Sequence, residues 1–104
     1  MTGRLITHKF ALDLLGANSH PAYHRLNHGS VILEMLDKAK ILVTLDDSTI
    51  VRLEADKWGF EQRDALLALA PFVEPGSAVE WHDEHNRIRI DYRRGRAIIS
   101  NGNA

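Results

Sequence analysis

From Val79 to Ile99 apolar and charged residues alternate with a period of two, the pattern of strands that bury one face and wet the other. Two turns interrupt it, one centred on His85-Asn86 and one at Arg94-Gly95. Aligning Val79, Trp81 and Asp83 with Tyr92, Ile90 and Ile88, and then Tyr92 and Ile90 with Ala97 and Ile99, predicts a three-stranded antiparallel meander. One face collects Val79, Trp81, Ile88, Ile90, Tyr92, Ala97 and Ile99. The other carries Glu80, His82, Glu84, Arg87, Arg89, Asp91, Arg93 and Arg96, with Ile98 the exception. A slip of one residue would mix the faces, so the pattern itself chooses which face is buried. Glu84 and Arg87 become an opposite-charge neighbour pair across the first turn.

Such a sheet needs an apolar layer to cover it, and the rest of the chain supplies candidates. Thr7 before His8-Lys9-Phe10-Ala11-Leu12-Asp13-Leu14-Leu15 and Gly16 after it are helix punctuation, and Phe10/Leu14 and Ala11/Leu15 stand four apart, predicting a short helix over 8–15. Pro21 and Gly29 bracket a second over 21–28, and Ser30 caps a third over 31–40 with Ile32, Met35, Leu36 and Ala39 as its stripe. Ile41–Leu45 and Thr49–Leu53 read as a hairpin around Asp46-Asp47-Ser48. Its first arm is apolar at consecutive positions, which suits a strand covered on both faces or paired with a neighbouring subunit. A longer amphipathic helix starts at Asp56, buries Trp58, Gln62, Ala65, Leu66, Leu69 and Phe72 or Val73, and ends at Pro71. The expectation is one α+β domain over 1–104, with short N-terminal helices, a hairpin, the longer helix and the meander packed in two layers, and 101–104 a frayed tail.

Composition excludes several classes of function. With no cysteine there is no disulfide framework, thiolate nucleophile or iron–sulfur cluster. The first residues hold no apolar run long enough for a signal peptide or a membrane span, so a cytoplasmic protein without membrane association is expected. Gly-x-Ser-x-Gly and both glycine-rich phosphate loops are absent. The paired carboxylates Asp46-Asp47 and Asp83-Glu84 fall at turns, where short acids satisfy backbone groups, and give no reason to expect acid–base catalysis.

Two patterns remain as candidate sites. Five of the six histidines cluster, His20, His24 and His28 in one group and His82 and His85 in another. In an α-helix His24 and His28 would share a face. Together with His82 and His85 they would suit zinc, the basis of an alternative reading as a small metal-binding hydrolase or regulator; otherwise no cofactor is expected. The other pattern is a charge asymmetry. Residues 41–86 hold three basic and ten acidic side chains, a balance of −7, whereas 87–104 hold five arginines and one aspartate, a balance of +4. Arg87, Arg89, Arg93, Arg94 and Arg96 therefore form a candidate binding surface for carboxylate or phosphate. Trp81 and Tyr92 fall on the opposite face, which disfavours base stacking. The functional expectation is a non-catalytic binding or accessory protein, a homodimer that uses this arginine face on an acidic protein surface or a nucleic-acid backbone.

Overall fold

The protein is described by a computed structural model covering residues 3–26 and 31–103. In chain order the elements are β1 (Arg4–His8), β2 (Leu12–Asp13), α1 (Leu14–Asn18), a 3-10 turn (Pro21–Leu26), α2 (Val31–Lys38), β3 (Leu42–Asp46), β4 (Thr49–Glu54), α3 (Phe60–Ala68), β5 (Ala78–His82), β6 (Asn86–Arg93) and β7 (Arg96–Asn103). They build an α+β domain with two antiparallel sheets, one ordered β1-β5-β6-β7 and one ordered β2-β4-β3.

The meander has the expected faces, and Tyr92 opposes Ala97 and Ile90 opposes Ile99 as expected. The β5–β6 register differs by two residues. Val79 lies opposite Ile90, Trp81 opposite Ile88 and Glu80 opposite Arg89. A shift of two keeps every side chain on its face, so alternation alone could not exclude it. The turn chemistry decides. Asp83 Oδ1 accepts the backbone N–H groups of His85 and Asn86, both at 2.8 Å, and the Asp83 N–H donates to the Asn86 carbonyl at 3.0 Å. The turn is therefore centred one residue earlier than expected, and Arg87 faces His82 rather than Glu84. Strand β7 continues through Asn103, so 101–103 are paired rather than frayed.

The largest correction is at the N-terminus, where the segment 8–15 is not one helix: His8 ends strand β1, Leu12–Asp13 form β2, and only Leu14 and Leu15 are helical, as the start of α1. Phe10 is buried and Leu14 partly so, but Leu15 is exposed, so the two four-residue spacings do not mark one buried face. Thr7 is no helix cap. Its Oγ1 donates to the Leu53 carbonyl at 2.7 Å and accepts the Leu53 N–H at 3.0 Å, replacing a backbone partner between β1 and β4. One backbone bond, Leu5 N–H to the Ala55 carbonyl, continues this seam. Thus β1 closes the meander into a four-stranded sheet and joins it to the second sheet. The capping residue of α1 is Asp13, which accepts the Leu15 N–H.

The hairpin β3–β4 and helix α2 lie where expected. Helix α3 starts at Phe60, not Asp56, with Gly59 as its N-cap, and Trp58 stacks on Trp81 from the preceding loop at 6.0 Å between ring centroids. Ala65, Leu66 and Leu69, the sheet residues Val79, Ile90 and Tyr92, Ile32 and Leu36 of α2, and Leu12, Ile50 and Leu53 are all buried, and the Tyr92 hydroxyl ties the sheet to α3 at the Leu66 carbonyl. These side chains form one contiguous core.

Candidate anion-binding site

Strands β6 and β7 meet in a two-residue turn, Arg94-Gly95, with Arg93 directly opposite Arg96. Gly95 has φ +68°, a left-handed conformation that glycine adopts without steric cost, and the tight turn it allows brings Arg94 and the two flanking residues Arg93 and Arg96 to one tip. Arg93, Arg94 and Arg96 are all exposed. With Pro75, Gly76 and Ile98 they line an open cleft of about 650 Å³. The Pro75-Gly76 wall is held by backbone bonds: the Glu74 N–H donates to Ala11, the Gly76 N–H to Tyr92 and the Tyr92 N–H to Ser77. Backbone hydrogen bonds therefore fix the Pro75-Gly76 wall to the rest of the fold, and the arginine side chains line the cleft beside it.

The five expected arginines do not act as one patch. The Arg89 Nε donates to both oxygens of Asp91 at 2.9 and 3.1 Å, and its Nη1 donates to Glu80 Oε1 at 2.6 Å. Those carboxylates consume its charge and raise its pKa further, the Asp91 hydrogen bond first among the causes. Arg87 lies at the far end of β6, six residues and roughly 20 Å from Arg93. Neither it nor Arg93, Arg94 or Arg96 has a carboxylate within 4.0 Å among the described residues. What survives as a concentrated cationic site is the hairpin tip.

Of the histidine candidates, His82 lies in β5 and His85 in the turn that follows it. The backbone of His24 lies in the 3-10 turn Pro21–Leu26 rather than in the expected α-helix. His28 falls outside the described residues. His85 is exposed in the β5–β6 turn, and the neighbouring Asp83 accepts the Trp81 Nε1–H at 2.7 Å, a bond that with those from His85 and Asn86 holds its carboxyl below the ordinary range. No group of three or more His, Asp or Glu among the described residues is arranged to hold a metal ion.

One cluster escaped the sequence reading. Glu80, largely covered on the outer sheet face, receives Arg89 and His8 on Oε1 and His82 on Oε2, the two imidazoles both at 2.8 Å. The signal was the i, i+2 spacing of Glu80/His82 and Arg89/Asp91, which shares a sheet face. His8 was hidden because it was assigned to a helix. Burial raises the Glu80 pKa, but the hydrogen bonds from His82 and Arg89 and the charges of His8 and Arg89 outweigh it, leaving the carboxyl below its ordinary 4.5. A carboxyl lowered on folding stabilises the fold above its unfolded pKa, and that contribution fades as pH falls through the folded value. Thermal melts from pH 6 downward are expected to show a decline beginning near pH 4.5 that Glu80→Gln reduces. Identical acid limbs for the two proteins would show that the cluster is not coupled to folding.

Comparison with protein families, curated proteins and solved structures finds no match to this chain.

Proposed function

We propose that this chain is a non-catalytic binding protein, working as a homodimer, that takes an acidic segment of a partner protein into the cleft at Arg93, Arg94 and Arg96. The observation that carries this reading is three neighbouring guanidinium groups that have no carboxylate partner among the described residues and that line one open cleft, whereas Arg89 on the same sheet face is paired with Glu80 and Asp91. Guanidinium forks bind carboxylates through paired N–H donors, and at an exposed tip they remain available to do so. An acidic segment is favoured over nucleic acid for two reasons. The protein carries a net charge of −1, so no general field draws in a polyanion, and Trp81 is buried beneath the opposite face while Tyr92 is wholly enclosed.

The test is fluorescence anisotropy with a labelled aspartate- and glutamate-rich peptide, and with single-stranded and duplex oligonucleotides in parallel. Arg93→Glu/Arg94→Glu/Arg96→Glu is expected to weaken peptide binding at least about tenfold, the equivalent of 1.4 kcal/mol, while Arg87→Glu leaves it nearly unchanged. Equal affinity of the wild type and the triple variant would defeat the proposal. Binding of oligonucleotide alone, with a log–log salt slope of roughly −2.7 for three phosphate contacts, would replace the partner class.

A further inference from the structure

We infer that two copies of this chain associate through β3, pairing antiparallel edge to edge about a two-fold axis at Thr44; this rests on the homodimer reading above and names its surface. Strand β3 is an edge of its sheet, with β4 on one side and no strand on the other among the described residues. Edge strands of monomers are usually blunted by lysine, proline or a cover, because their unpaired backbone groups template pairing. Leu42-Val43-Thr44-Leu45-Asp46 has neither lysine nor proline. Leu42 is 67% exposed and Leu45 46%, and two further large exposed apolar side chains, Leu33 and Val51, sit on the adjoining α2 and β4. Of the other outer strands, β1 is tied to Leu53 and Ala55, β2 has only two residues, and β7 begins with an arginine and contains Gly102, so each is a poorer template.

The identity of the occupant follows from self-complementarity. An isologous interface must match its own rotated image. With the axis at Thr44, Val43 stands opposite Leu45 of the partner subunit and Leu45 opposite Val43 of the partner subunit. Both residues lie on the face that is paired with Leu53 and Ile50 in β4, so the pairing would extend the apolar core across the axis. The outer groove beside β3, about 960 Å³, has Leu42, Val51 and Ile6 between three cations, Arg4, Lys40 and Arg52, and three anions, Asp37, Glu54 and Asp56. Equal numbers of both signs suit a surface that meets its own copy better than a uniformly charged partner.

The absence of cysteine gives a clean test. Facing residues on an antiparallel dyad have Cα atoms about 4.5–5.5 Å apart, within disulfide reach. Thr44→Cys is therefore expected to form an intermolecular disulfide under mild oxidation, and Ser100→Cys on β7 to remain monomeric on denaturing gels. In sedimentation, wild type is expected at twice 11.7 kDa and Leu45→Lys, its fold checked by circular dichroism, at 11.7 kDa. A wild-type dimer that Leu45→Lys leaves intact and Thr44→Cys fails to cross-link would overturn the β3 interface while leaving the dimer standing. A monomeric wild type at about 100 µM, roughly a hundred times a micromolar Kd, would remove both.

Discussion

Replacing Tyr92 with alanine is expected to remove about 3–5 kcal/mol of folding stability, and replacing it with phenylalanine about 1–2. The two losses have separate origins. Tyr92 sits in β6 with no exposed surface, its ring meets Phe10 edge-on at 5.8 Å, and its hydroxyl donates to the Leu66 carbonyl of α3 at 2.7 Å. Alanine discards the ring and leaves a cavity between the sheet and α3. Phenylalanine discards only the bond that ties the helix to the sheet. Since domains of this size hold about 5–15 kcal/mol in total, the alanine variant approaches the edge of folding. Urea titration of both variants gives the two differences directly. A pH series adds an independent sign. Burial raises the phenol above its ordinary 10.0, so its contribution is whole below pH 10 and is lost as pH rises beyond it, when only the unfolded chain ionises readily. Tyr92→Phe is expected to be less stable at pH 7 yet to lose less stability above pH 10. A parallel alkaline decline in both proteins would place the titration elsewhere.

The burial of Tyr92 is legible in the sequence, because the alternation around it assigns its face without reference to the rest of the chain. The same rule could not set the β5–β6 register, since shifts of two are silent to it, and the deciding contacts of Asp83 are local turn bonds. Nor could it recover β1. Leu5-Ile6-Thr7 is short, it lies far in sequence from β5 and β4, and the polar positions around Thr7 mimic a helix cap. Its strand state is imposed by partners at both edges, Val79 on one side and Leu53 on the other, each more than forty residues away.

The candidate site was legible in part for the same reason. Alternation placed Arg87, Arg89, Arg93 and Arg96 on one face but said nothing of which carboxylates stand beside each. Glu80 and Asp91 are what neutralise Arg89, so the tip is where three accessible guanidinium groups stand together. The wall at Pro75-Gly76 is reached only through the fold, because residues 74–77 are tied to Ala11 and Tyr92. A sequence pattern can assign charges to faces; three-dimensional neighbours decide which charges are spent.

At the junction between α2 and β3, two substitutions are expected to act with opposite signs. Helix α2 ends in a Schellman arrangement, with the Lys40 N–H donating to Asp37 and the Ile41 N–H to Leu36, both at 2.9 Å, while Leu36 and Ile41 are buried together. The geometry requires a left-handed residue after the cap, and Lys40 occupies it at φ +58°. A lysine there bears the clash of its Cβ that glycine lacks, so Lys40→Gly is expected to stabilise by about 1 kcal/mol even after glycine's greater unfolded-state freedom is counted. The neighbouring carbonyl, Ala39, receives the Gln62 Nε2–H at 2.6 Å from α3, and Gln62 is only 2% exposed. This explains a polar residue in the middle of an otherwise apolar stripe: its amide completes the end of another helix. Gln62→Leu keeps the bulk but strands that carbonyl, and a loss of about 1–3 kcal/mol is expected. Urea midpoints for the two single variants and the double variant check both signs. The residues lie on one cap, so the double variant is expected to deviate from the sum by more than about 0.5 kcal/mol. Simple additivity, or a destabilised Lys40→Gly, would mean that the cap and the α3 amide do not form the coupled unit described.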